Sequence, residues 1–330
     1  MDATTTERQR QILHLIQNEV SFETNTSILK NIVGQNEAIK KLMFFVKSHS
    51  PATPIPTFLF TGSQGLGKTY TAEKMAKAMG RQFIEVNCAN IQTDKEFIEG
   101  ILIDLVAGDT PKTLLLDEAH CLSSKVTNTL LTLLNPNSSN KNHLDYKGWL
   151  VEYDFSKINI IFATTDSYRM APALLNRCTE IYFHLYSNPE LYKILKSYMK
   201  EISIKCNRKD ISWACRGRGR DTFVLSTYIQ RYCSMENTKI LDVKGWTAVK
   251  EIFDIYPLGL NAQEIKLLKL LSKHSPLSCH NIAIRLGVNE RNVESELEIR
   301  PRELGFIENT SRGRKLSKEG KKYLEKIKLS

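Results

Sequence analysis

Short runs of consecutive apolar residues punctuate the first half of the chain, separated by stretches whose apolar residues recur three and four apart. Thr57-Phe-Leu-Phe-Thr61, Gln82–Val86, Lys112–Leu116, Asn159–Ala163 and Glu180–Phe183 read as strands. Strands apolar on both faces are buried on both, which predicts a parallel sheet with helices on either side. Tyr70–Met79 has the spacing of one such helix and stops at Gly80. Ahead of this pattern, residues 1–30 are polar apart from an amphipathic stretch around Ile12–Val20, a further predicted helix.

From Ser187 onward the strand-like runs cease. Pro189–Ile204 and Asp221–Met235 read as helices of a small all-helical section. Near Pro257 the texture changes again. Ala262–Ser272, Ser278–Leu286 with Ser278 as N-cap, and Asn289–Ile299 read as three helices. Leu304-Gly-Phe-Ile307, a basic turn Ser311-Arg-Gly-Arg314 and a strand at Lys315-Leu316 follow, so three helices precede a two-stranded hairpin. That is the layout of a winged helix.

The chain has 330 residues, enough for two or three domains. No apolar run approaches the length that crosses a bilayer, and the polar N-terminus lacks the basic-then-apolar pattern of a secretion signal. A cytoplasmic protein without membrane contact is expected. Seven cysteines with no C-x-x-C pair point to free thiols, not disulfides or zinc. Net charge is +10, and residues 311–330 concentrate it: Arg312, Arg314, Lys315, Lys318, Lys321, Lys322, Lys326 and Lys328 face only Glu319 and Glu325. Such an end attracts polyanions, though a solvated terminal helix has the same composition.

Gly62-Ser-Gln-Gly-Leu-Gly67-Lys68-Thr69 satisfies G-x-x-x-x-G-K-[ST]. Its glycines let successive backbone N–H groups face phosphates, and the following helix adds its positive end. Lys68 is expected to reach the β- and γ-phosphates and Thr69 to bind Mg²⁺. The motif follows an apolar strand and opens a helix, the context that gives it meaning. Further on, Leu114-Leu-Leu-Asp117-Glu118 ends a buried strand with two carboxylates, which are costly there without a partner. A metal supplies one. Asp117 is expected to hold Mg²⁺ and Glu118 to orient and deprotonate the attacking water. Asp117-Glu-Ala-His120 also spells the box of a helicase class with two tandem motor domains, but no second motor core follows.

Together these residues resemble the AAA+ ATPases, and within them the RuvB family of Holliday-junction branch-migration motors, over roughly residues 30–320. The matching parts are Val33-Gly-Gln35, Gly65-Leu-Gly-Lys-Thr69, Asp117-Glu-Ala-His120, Ala163-Thr-Thr165, Leu174-Leu-Asn-Arg177 and Leu304-Gly-Phe-Ile307 with Thr310-Ser-Arg-Gly-Arg314. The last is the most discriminating. The resemblance implies an α/β P-loop NTPase (AAA+) core with an all-α lid domain and a C-terminal winged-helix domain. The expected limits are 1–30 for an N-terminal extension, 31–186 for the core, 187–256 for the lid and 257–330 for the winged helix.

The resemblance also implies roles for individual residues. ATP with Mg²⁺ is the expected cofactor pair, held by Gly62, Gly65, Leu66, Gly67, Lys68, Thr69 and Tyr70, with Ile32 and Val33 flanking the adenine. Thr165 matches sensor 1, with Thr164 the alternative. Arg177 matches the arginine finger that reaches a neighbouring subunit, so a homo-oligomer, expected to be a hexamer, is implied. Sensor 2 falls in Arg216-Gly-Arg-Gly-Arg220-Asp-Thr222, on Arg220 or, ungapped, on Thr222. Arg312, Arg314 and Lys315 are expected to meet DNA phosphates, Arg312 and Arg314 pointing outward from a hairpin tip. The acidic Asn289–Ile299 helix is a poor reader of bases, so contact with branched or duplex DNA is expected to be sequence-independent.

Two departures bear on partners. A RuvB-type motor docks RuvA through an apolar hairpin tip between its metal and sensor 1 strands. Asn135–Asp154 here contains Pro-Asn-Ser-Ser-Asn-Lys-Asn-His, read as a polar tip, which argues against a RuvA-like partner. Asn176-Arg-Cys-Thr179 also looks like the clamp-loader motif. A loader that places another protein on DNA is therefore the alternative to a branch-migration motor.

Overall fold

The computed structural model describes residues 25–50, 53–136 and 139–328. The helix predicted around Ile12–Val20 lies outside the described residues. Those that are described form two compact units, divided between His184 and Leu185.

The first unit is built on a sheet of β1 (Phe58–Thr61), β2 (Gln82–Asn87), β3 (Lys112–Asp117), β6 (Ile158–Thr164) and β7 (Thr179–Tyr182), in the order β2-β3-β6-β1-β7. All four ladders are parallel. Phe58, Leu59 and Phe60 of β1 and Ile158 through Ala163 of β6 are buried throughout, apolar except for Asn159. This is why the strands read as continuous runs and not as alternations. Full burial of each large side chain contributes about 2–3 kcal/mol. The helices Asn36–Ser48, Lys68–Ala78 and Ser124–Leu133 flank this sheet in sequence, the last capped by the Ser123 hydroxyl on the Val126 N–H.

An antiparallel hairpin, β4 (Lys141–Tyr146) and β5 (Trp149–Asp154), is inserted between Ser124–Leu133 and β6. Tyr146 pairs with Trp149, so Lys147-Gly148 is the turn, with φ of 53° and 79°. Both residues at positive φ make the two-residue turn that matches strand twist. The turn is therefore at Lys147-Gly148, after β4, and not ahead of Lys141 as the sequence suggests. The tip lies beside Tyr146, Trp149 and Leu150, and Leu150 is 70% exposed. The expected position of the tip is corrected: its turn carries Lys147, with the exposed Leu150 close by.

The second unit contains two apolar clusters. One gathers Leu191, Leu195, Ile211, Leu225, Ile229 and Trp246 around the helices Asn188–Glu201, Gly219–Met235 and Val243–Ile252. The other gathers Leu267, Leu271, Ile282, Val293, Phe306 and Leu316 around Ala262–Lys273, Cys279–Leu286 and the hairpin β8 (Ile307–Thr310) and β9 (Gly313–Leu316). Ser278 caps its helix through the Asn281 N–H, as its position predicts. Arg216 and the fully buried Glu264 join the two clusters in an ion pair. Glu264 also closes a capping box with Asn261.

The third helix of the winged layout is not continuous. It runs as Glu290–Asn292, a wide π turn Val293–Leu297, and Ile299–Glu303. Pro301 has no N–H to donate to Leu297, so the regular ladder cannot carry through. The break buries Val293 and Leu297 in the core and Glu298 beside them.

Candidate functional site

Parallel pairing aligns the C-terminal ends of the strands. Thr61 is level with Thr164 on one side and Tyr182 on the other, and Asp117 is level with Asn87. Because β6 lies between β1 and β3, the segments leaving Thr61, Asp117 and Thr164 emerge along one sheet edge. Gly62–Lys68, Asp117–Glu118 and Thr164-Thr165 are therefore brought together. In open parallel sheets ligands bind at this edge.

Lys68 is the first residue of Lys68–Ala78. Its Nζ folds back onto the carbonyl oxygens of Gly62, 2.7 Å, and Ser63, 3.0 Å. Burial holds its ammonium below the usual lysine range, and the Asp117 and Glu118 carboxylates pull it part of the way back. Both acids therefore act on Lys68 across the loop mouth. Leu66 is buried, Gly65, Gly67 and Thr69 are half-buried, and Tyr70 is half exposed with Lys74 Nζ 5.0 Å from its ring centroid. Gly62 opens the loop directly after β1. The hydroxyl of Thr69 with the Asp117 carboxylate is a hard-oxygen donor set, suited to Mg²⁺ completed by water and phosphate. Among the described residues no cluster of three or more His, Cys, Asp or Glu forms a metal cage.

Glu118 has a left-handed backbone, φ 51° and ψ 45°, and its N–H bonds to its neighbour Asp117 Oδ1 at 3.0 Å. A non-glycine residue costs about 1–2 kcal/mol there, and such strain clusters at functional positions. Thr164 is fully buried at the end of β6, and Thr165 is exposed one residue beyond it. Ile32 and Val33 are half-buried just ahead of Gln35. In the sequence Gln35 stands only within Val33-Gly-Gln35, and its contact depends on residues far along the chain. Its Nε2 donates to the His184 carbonyl at 2.7 Å and reaches the Leu66 carbonyl at 3.4 Å, while its Oε1 accepts the His184 N–H at 3.0 Å. It ties the phosphate loop to the end of β7.

Arg177 is not in this cluster. It lies two residues before Thr179, which is level with Phe58 at the opposite, N-terminal edge of the sheet. Its Nη1 donates to the Ala173 carbonyl at 2.7 Å, and its buried Nε has no hydrogen-bond partner. No carboxylate pairs with it among the described residues. Arg220 is the second residue of Gly219–Met235, in the other unit, and is exposed. Thr222, the ungapped alternative, is fully buried there and bonds the Gly219 carbonyl, so its hydroxyl is already engaged.

At the wing, Thr310 pairs with Gly313, so Ser311-Arg312 is the tip. Gly313 is obligatory: a Cβ there would stand 2.2 Å from the Leu277 carbonyl, and Leu277 forms an isolated antiparallel bridge with Arg314 of β9. Arg312 and Lys315 are exposed. Arg314 is not outward. Its Nε donates to Glu298 Oε1 at 2.8 Å and its Nη2 to Glu294 Oε1 at 2.7 Å. The expectation that Arg314 meets phosphates is corrected, because the acidic helix holds its guanidinium. That helix is acidic partly for this reason, and Arg302 pairs with Glu298 as well.

Residues 58–185 match the family described as ATPase family associated with various cellular activities (AAA), and residues 257–325 match the RuvB C-terminal winged helix domain. The chain is 24% identical over 298 residues to the Holliday junction branch migration complex subunit RuvB of Mycoplasma genitalium, covering 88% of this chain and 94% of that one. It is 25% identical over 313 residues to that of Campylobacter lari, covering 89% of each. Among solved structures, the Thermotoga maritima RuvB Holliday junction branch migration motor aligns with a TM-score of 0.72 at 20% identity, covering 90% of this chain and 98% of that one. Among the described residues, no helix is long and apolar enough to cross a membrane.

Proposed function

Since the chain carries an AAA domain and a RuvB-type winged-helix domain, we propose that it is an ATP-driven DNA motor that moves Holliday junctions or related branched DNA. The observation that carries this reading is the pairing, in one chain, of that winged helix with a phosphate loop and two carboxylates on one sheet edge. Lys68 leaves the Gly62 and Ser63 carbonyls to meet the β- and γ-phosphates of ATP. Gly62, Gly65, Leu66, Gly67, Thr69 and Tyr70 line the phosphates, and Ile32 and Val33 flank the adenine. Thr69 and Asp117 would hold Mg²⁺, which would neutralise phosphate charge. Glu118 takes the proton of the attacking water, and Thr165 touches the γ-phosphate or that water. Arg220 serves as sensor 2.

Arg177 completes the site of a neighbouring copy. Its place at the far sheet edge, with a free Nε and no acidic partner, supports this role and a ring of subunits, read here as a hexamer. A guanidinium supplied in this way accelerates phosphoryl transfer by about 10³–10⁵ in related chemistry. Arg312 and Lys315 supply sequence-independent phosphate contacts. The β4–β5 tip, with Leu150 exposed, suits an apolar docking partner of the RuvA kind, which removes one of the two features that favoured a loader.

The test is dissociation of a synthetic four-way junction. The wild-type protein should dissociate it with Mg²⁺–ATP, aided by a RuvA-type protein, and a Glu118→Gln variant should not. Failure of the wild type under all of these conditions refutes the reading.

A further inference from the structure

We propose that His120 is the positioning residue that holds Glu118 in its catalytic orientation and links it to the end of β6. This rests on the ATPase reading above. His120 leaves β3 three residues after Asp117, and its side chain is only 10% exposed. Its Nδ1 lies 2.9 Å from Thr164 Oγ1 and 3.5 Å from Glu118 Oε2, and its Nε2 lies 4.0 Å from Asp166 Oδ2. Thr164 Oγ1 in turn accepts the Asp166 N–H at 3.0 Å. One imidazole thus faces the proposed base, the fully buried hydroxyl at the end of β6 and the first acid beyond it.

Carboxylates accept, so a proton on Nδ1 suits Thr164 and the nearby Glu118, and one on Nε2 suits Asp166. Thr164 Oγ1 is the hydrogen-bond partner of Nδ1, and Glu118 Oε2 lies beside the same nitrogen, 3.5 Å away. The glutamate needs such a guide: its backbone is held in the left-handed region, and its side chain, 31% exposed, has freedom to turn away from a water it must deprotonate. Thr164 is fixed by the β6 ladder, so His120 transmits a rigid strand position to a mobile carboxylate. The same bonds couple Glu118 to the segment from Asp166 to Arg177. A shift of that segment, as when Arg177 engages a neighbour, reaches Glu118 through Asp166, Thr164 and His120.

The experiment is steady-state ATP hydrolysis by the full-length protein with four-way junction DNA, run beside equilibrium binding of a fluorescent ATP analogue. His120→Ala should lower kcat about tenfold or more while KM and analogue affinity stay within about twofold, as loss of orientation alone predicts. His120→Asn places an amide nitrogen near the lost Nδ1 and should recover most of kcat. His120→Gln reaches toward Nε2 instead and should not. Wild-type kcat in His120→Ala, equal impairment of His120→Ala and His120→Asn, or a loss confined to nucleotide affinity would each overturn the proposal. Wild-type hydrolysis by Glu118→Gln would overturn the catalytic reading as well, which separates the two failures.

Discussion

Thr179 donates its backbone N–H to the Thr57 carbonyl at 2.8 Å, where β1 begins. The contact anchors β7 at the sheet edge away from the phosphate loop. Four residues of β1 then lie between that level and Gly62, about 13 Å of strand. Arg177, two residues before Thr179, is therefore remote from its own chain's loop. Arg177→Ala should lower ATP turnover in the assembled protein by about 10³-fold or more. Nucleotide affinity of the same variant, measured by equilibrium binding, should remain close to wild type. A variant that loses binding and turnover together would place Arg177 in its own chain's site.

Arg314 and Arg312 should separate cleanly, although both flank Gly313. Removing Arg314 leaves the fully buried Glu298 with Arg302 alone, a loss of about 3 kcal/mol seen as a lower unfolding midpoint. Arg312→Ala should leave the midpoint unchanged. It should instead lower DNA affinity and reduce the slope of log affinity against log salt by about 0.9, one phosphate contact. Thermal unfolding reads both midpoints, and fluorescence anisotropy over a salt series reads the DNA affinity of Arg312→Ala.

Gln35 should matter to nucleotide binding without touching the phosphates. Gln35→Ala removes both bonds to the His184 backbone and the longer one to the Leu66 carbonyl, each a net contribution of about 1 kcal/mol. The expected result is weaker ATP binding by calorimetry with kcat at saturation less affected. Unchanged affinity would show that the loop holds its shape unaided.

Leu150 at the β4–β5 tip gives a fourth expectation. Leu150→Asp should preserve DNA-stimulated ATP hydrolysis and abolish stimulation by a RuvA-type protein, read by co-sedimentation and junction dissociation. Persistent stimulation would place that partner elsewhere.

The sheet and the phosphate loop were legible because their signals are local. A strand buried on both faces is a plain apolar run, as at Phe58–Phe60 and Leu114–Leu116, and Gly62–Thr69 sits between one such run and a helix. The hairpin tip is not legible because Pro136 and the Asn/Ser residues after it are stronger turn formers in sequence than Lys147-Gly148. The pairing register that fixes the turn depends on Tyr146 and Trp149 meeting across it. The inward turn of Arg314 is not legible in sequence because its partners, Glu294 and Glu298, lie on another element. The contacts of Gln35 and His120 have the same origin: they span 149 and 44 residues of sequence.

The central claim is that ATP is hydrolysed between subunits, one contributing Lys68, Asp117 and Glu118 and the next Arg177. The most direct measurement mixes Arg177→Ala with Lys68→Ala protein on a four-way junction and follows ATP hydrolysis. Each variant alone should be nearly inactive, and the mixture should regain activity, because an intact Lys68 from one copy can meet an intact Arg177 from the other. Full hydrolysis by Arg177→Ala alone, or a mixture as inactive as its parts, would contradict the account.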